Sequence, residues 1–135
     1  MAMIDFDEMG LDEAKEPYAV KGGEERKLVI VEVKEGTDKN GLEYLQPRLE
    51  IIGEPYAKDF THFLHIPNKA KMTAKQLNRV RYSMDSFRKC FGIEGGVQDP
   101  KDSWPGHEGY AIVGNQKNEQ YGEQNFISKL VIPQA

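Results

Sequence analysis

From Leu42 to Ile66 apolar and polar residues alternate with a period of two, and this stretch predicts two strands joined by a tight turn. Leu45, Leu49 and Ile51 fall on one side of the first segment, with Tyr44, Gln46, Arg48 and Glu50 on the other. Gly53-Glu54-Pro55 supplies the turn, since Gly tolerates unusual dihedrals and Pro presets φ. From Lys58 to Ile66, Phe60, His62, Leu64 and Ile66 alternate with Thr61, Phe63 and His65. One face of this pair feeds a core. The other carries Tyr44, Arg48, Phe63 and His65, a set of rings, a cation and hydrogen-bonding groups.

The flanks predict the remaining elements. Lys27–Lys34, KLVIVEVK, is a β-branched run, with Val29, Val31 and Val33 expected on one face and Leu28 and Ile30 on the other. A loop of turn formers, ending in Asn40-Gly41, links it to the central pair. Thr73 and Gln76 have the spacing of a capping box. Leu77, Val80, Met84, Phe87 and Phe91 then form one apolar stripe, and Gly92 follows as the stop. Residues 93–106 read as loop, with Asp99–Asp102 as a turn and Trp104 as a lid over the core. Gly109–Gly114 is a fourth strand, Asn115–Gln124 a long polar loop, and Asn125–Ile132 the last strand. Residues 1–22, in which Asp5, Asp7, Glu8, Asp12, Glu13 and Glu16 mix with Ile4, Phe6, Met9 and Leu11, read as an acidic arm before a domain spanning 23–135.

The order β-β-β-α-β-β in a chain of 135 residues predicts a mainly β fold with one helix. The architecture that fits is the OB-fold, a five-stranded Greek-key barrel with the helix between strands three and four. Ligands of such barrels lie across strands two and three, between the first hairpin loop and the last.

Charge sharpens this picture. The net charge is −4, yet residues 69–89 hold seven bases and one acid, while residues 1–25 hold eight acids and two bases. A polyanion responds to the local field, so overall acidity does not exclude one. Rings beside cations suit an unpaired polynucleotide, whose bases stack and whose phosphates need neutralising. The candidate phosphate contacts are Arg26, Lys34, Lys39, Arg48, Lys58, Lys117 and Lys129; Tyr44, Phe63 and Tyr121 are candidates for stacking, with His65 on the same face. Tyr56 and Tyr82 are weaker ones. Arg79, Arg81, Arg88 and Lys89 serve either as a solvated helix face or as a second track. The bland counterpart is that Tyr44 and Phe63 are packing aromatics of a sheet covered on both faces.

Catalytic chemistry is sparse. His62, His65 and His107 have no partners at zinc spacing, and His62 and His65 point to opposite faces of one strand. GxxxxGK[ST], GxSxG and HExxH motifs are absent. The expectation is no enzyme, no metal and no cofactor. Lone Cys90 excludes an internal disulfide. No apolar run reaches membrane-span length and no signal peptide opens the chain, so a cytoplasmic protein without membrane contact is expected.

An IDFDE segment, TDKNGL before a strand, G-x-P-Y-x-x-x-F leading into the next, GYAIVG, and a closing YGEQNFISKLVIP occur in this order. Together they resemble a family of small bacteriophage single-stranded-DNA-binding proteins, many of unknown function. The resemblance runs diffusely from Ile4 to Pro133. It implies an OB-fold and non-sequence-specific single-strand binding in phage replication or recombination, in the host cytoplasm. The chain ends Val131-Ile132-Pro133-Gln134-Ala135, without the acidic tail such binders often carry. If the chain carries a partner-recruiting element, it is expected within residues 1–22. The alternative function is an OB-type protein-interaction module, accessory or inhibitory, whose acidic arm binds a replication or recombination protein. A homodimer is left open.

Overall fold

Fourteen residues from Glu24 to Thr37 form β1, the strand on which the others assemble in the computed structural model, which describes residues 2–134. The remaining elements are β2 (Glu43–Ile51), β3 (Phe60–Thr61), β4 (Leu64–His65), α1 (Ala74–Cys90), α2 (Pro100–Ser103), β5 (Glu108–Asn118) and β6 (Gly122–Val131). Two short 3-10 turns, Phe6–Glu8 and Leu11–Glu13, precede them. Met1 and Ala135, the outer ends of the expected arm and barrel, lie outside the described residues.

All strand pairings are antiparallel, in the order β3-β2-β1-β5-β6 with β4 also on β2, so the protein is mainly β with one principal helix. β1 is long enough to pair with β5 through Glu24–Val29 and with β2 through Leu28–Thr37. Its face pattern departs from simple alternation. The register slips between Ile30 and Glu32, so Val31 is extra, and the buried residues become Leu28, Ile30 and Val33. The expected shared face of Val29, Val31 and Val33 is thus overturned by a β-bulge, which adds one residue and flips everything beyond it.

The third strand expected over 58–66 is two short pieces, making six strands instead of five. Pro47 explains the break. Its carbonyl accepts from His62 N–H at 3.0 Å, so its nitrogen faces the same neighbour, and that nitrogen has no hydrogen to donate. Pairing is lost opposite His62 and Phe63 and resumes at Leu64.

The polar loop expected at 115–124 is mostly strand. β5 and β6 pair from Asn118↔Gly122 inward, and only Glu119–Tyr121 remain as the turn. Polar side chains on both faces of a projecting hairpin gave no alternation to read.

The core gathers Leu28, Ile30, Leu45, Leu49, Phe60, Leu64, Phe87, Phe91, Trp104, Ala111 and Val113 among its members. Helix α1 begins at the expected capping box: Thr73 Oγ1 accepts from Gln76 N–H, and Gln76 Oε1 accepts from Thr73 N–H. It lays Leu77, Phe87 and Phe91 on the sheet and stops at Gly92, whose φ of 63° suits glycine. Trp104 is the expected lid, buried 5.5 Å from the Phe87 ring, its indole N–H donating to Gln98 Oε1. Cys90 is buried where α1 meets β5; its Sγ donates to the Tyr110 carbonyl, and burial raises its pKa.

Residues 2–16 are exposed, but the end of the expected arm is not free. Tyr18–Val20 runs as an extended strap. On one side Tyr18 N–H donates to the Tyr56 carbonyl, and Lys58 N–H to that of Tyr18. On the other, Asn125 Oδ1 accepts from Val20 N–H, while Asn125 and Asn115 amides both donate to the Val20 carbonyl. Val20 is buried in the core.

Candidate nucleic-acid interface

β2 and β4 pair Tyr44 directly with His65, and the irregular residue between the strand pieces, Phe63, swings over both. Ring centroids are 4.7 Å apart for Tyr44 and Phe63 and 4.8 Å for Phe63 and His65, the latter edge to face. All three lie on the sheet face opposite Leu45 and Leu64, as the alternation requires. Phe63 is 45% exposed. Tyr44 is half-buried because its ring lies on Gly36, its register partner on β1, where a Cβ would come within 2.6 Å of Cζ.

The loop after β1 is organised around Asp38. Its carboxylate accepts from Asn40 and Leu42 N–H, each at 2.9 Å, and approaches His65 Nε2 at 3.3 Å. The Leu42 N–H bond, followed by that of His65, holds the Asp38 carboxyl below its usual pKa. Lys71 Nζ donates to the Gly41 carbonyl, and Lys39 is exposed at the loop tip. Beside the ring cluster a groove of about 300 Å³ runs between Leu42, Phe63 and His65 on one wall and Met72, Gln76 and Arg79 on the other. Arg79 brings the basic helix to this groove, and Lys71, just before the helix, reaches the loop at Gly41.

The remaining candidates divide. Arg48 stands on this face but is held by Asp59 at 2.6 Å and Glu32 at 3.3 Å, and Glu32 also lies 3.9 Å from Lys34. The middle of the wall is therefore closely charge-balanced. Arg26 is committed elsewhere, bridging Glu24 and Glu54, and Glu54 in turn accepts from the Tyr18 hydroxyl. Its Nε is buried without a partner. Lys58 donates to the carbonyls of Tyr121 and Glu123, pinning the β5–β6 hairpin tip, where Tyr121 is exposed. Lys117 is exposed on that hairpin. Lys129 lies away from the ring cluster, on β6 near His62 and Glu25. Tyr44, Phe63 and His65 thus come together, with Lys39 on the adjoining loop; Lys58, Tyr121 and Lys117 sit by the β5–β6 hairpin, and Arg26 and Lys129 join neither.

Sequence reasoning missed Leu42 and Met72, which line the groove, and Lys71, which donates to the neighbouring Gly41 carbonyl; for the last two the signal was the run leading into α1. His62 occupies the inner face, stacked 5.6 Å from Phe87, and burial lowers its pKa so that it stays neutral. Among the described residues no cluster of His, Cys, Asp or Glu has metal-binding form, and no helix is long and apolar enough to cross a membrane. No protein-family model matches this chain, and no curated protein matches it.

Proposed function

We propose that the protein binds single-stranded DNA without sequence specificity and without catalysis, in phage replication or recombination in the host cytoplasm. One observation carries the binding: Phe63 is presented outward between Tyr44 and His65, at the lip of a groove edged by Arg79. Bases stack on this platform while Lys39, Lys71 and Arg79 meet phosphates. The Tyr121 tip offers a second ring farther along the chain's path. The fold we propose is an OB-type Greek-key barrel. The strand order β3-β2-β1-β5-β6, with β3 and β4 as one interrupted strand and Tyr18–Val20 spanning the seam, supports that reading.

Fluorescence anisotropy with labelled oligo-dT tests the proposal. Phe63→Ala removes an exposed ring and should weaken binding about tenfold or more, since a stacked base contributes roughly 1–3 kcal/mol. A folded Phe63→Ala/Arg79→Ala double variant that binds like the parent would overturn this site.

A second reading is a protein-interaction module that docks its arm on a replication or recombination protein. It is favoured by Ile4 and Phe6, 63% and 67% exposed among carboxylates. Ile4→Asp/Phe6→Asp should then abolish capture of that protein while leaving oligo-dT affinity intact.

A further inference from the structure

The seam between the two ends of the sheet is filled along only part of its length. Tyr18–Val20 closes it near Ala57 and Asn125. Beyond the strap lies a groove of about 700 Å³, with β6 from Ile127 to Val131 as one wall and Tyr82, Ser83 and Ser86 of α1 as the other. β6 is the last strand in the sheet order. From Phe126 to Leu130 its outer edge has no backbone partner among the described residues. A strand edge facing a helix across a groove, here of mixed lining with Ile112, Ile127, Leu130 and Ile132 among serines, is the arrangement that accepts an added peptide strand: main-chain bonds give affinity and alternate side chains enter the groove. Left open, such an edge invites pairing.

We infer that this groove takes the acidic arm of a second copy of the chain, residues 3–13, as an added strand on β6. The same molecule carries both an uncovered groove and a segment with uncovered apolar side chains. Ile4 and Phe6 are spaced two apart, so in an extended chain they share a face and enter the groove, with Asp5 and Asp7 outward. Lys129 lies on the β6 wall, where it can meet the emerging carboxylates, and Glu25 also lines the groove. Arg81 and Arg88 border Tyr82 in the neighbouring depression, with Arg88 paired to Asp85. The 3-10 turn at Phe6–Glu8 buries nothing, so extending it sacrifices little packing. The chain's own arm is poorly placed. Tyr18 pairs parallel to Ala57, so residues preceding the strap leave at the end opposite His62 and the groove. The inference does not depend on nucleic-acid binding.

Sedimentation of the full chain across concentration, with and without two sets of substitutions, tests it. Ile4→Asp/Phe6→Asp alters only exposed arm residues, and Ser83→Glu/Lys129→Glu puts negative charge into the groove without touching the core. The parent should associate with concentration, each variant should weaken association tenfold or more, and an equimolar mixture of the two should regain one arm–groove contact and form heterodimers. A labelled peptide of residues 2–16 should bind the arm variant and not the groove variant. Association untouched by either variant set, or peptide binding indifferent to the groove charges, would overturn the assignment. A parent that stays monomeric while its arm variant alone takes up the peptide would mean the arm folds back on its own chain, and would overturn the second copy as occupant.

Discussion

Two side chains, one between β3 and β4 and one in the loop after β1, give the protein an acid sensitivity with separable causes. His62 is half-buried against Phe87 with its pKa lowered by desolvation, so the unfolded chain binds a proton more readily than the folded one. Stability should therefore decline as pH falls below about 6.5, the ordinary histidine value, and continue to do so down to the lowered folded pKa. Asp38 acts in a lower window. Its carboxyl is held down by Leu42 N–H and His65, so its contribution is present above about pH 4 and is lost as pH falls through the folded value. Denaturant midpoints measured from pH 8 to pH 3 should show both declines, with His62→Gln flattening the first and Asp38→Asn the second. Gly36 makes a different point at the same scale. An added Cβ would meet the Tyr44 ring, so Gly36→Ala should tilt that ring. Oligo-dT affinity should drop several-fold with a stability loss of only about 1 kcal/mol, read from paired binding and urea titrations.

Among the elements, the strap has the most concentrated effect. Asn125 satisfies both Val20 N–H and Val20 C=O and also donates to the Gly114 carbonyl. Asn125→Ala leaves the buried Val20 N–H unpaired and strips one of two donors from the Val20 carbonyl, and should lower unfolding free energy by on the order of 2 kcal/mol in urea titrations. Loss of hydrogen-exchange protection at Val20 should accompany it. The strap was not legible in the sequence, because its partners are asparagine amides about a hundred residues away, a pairing that no periodicity encodes. The ring cluster was legible, because period-two alternation alone places Tyr44, Phe63 and His65 on one face. Helix α1 was legible to its cap and stop for the same local reason. The split of the third strand was written in Pro47, whose missing donor interrupts pairing only once its neighbour is known. The bulge at Val31 carries no such residue: KLVIVEVK reads equally well in either register, and the cross-strand partners decide. The commitments of Arg48, Arg26 and Lys58 depend on carboxylates and carbonyls brought in from other strands, so composition overstated the free positive charge.

For the molecule as a whole that redistribution has a measurable signature. With Lys39, Lys71 and Arg79 as the three cations proposed to meet phosphates, the slope of log Kobs against log salt for single strands should lie near about −2. A slope near about −3.5 would mean that the wall's ion pairs open and that Arg48 and Lys34 also reach phosphates. Cooperative opening of the fold has its own reporter. Cys90 is buried between α1 and β5 with its Sγ donating to the Tyr110 carbonyl, so its reaction with a thiol reagent should quicken when helix and sheet part. Because the chain has one sulfhydryl, its modification rate is a single-site clock for that separation, readable on the unmutated protein in free and ligand-bound solution alike.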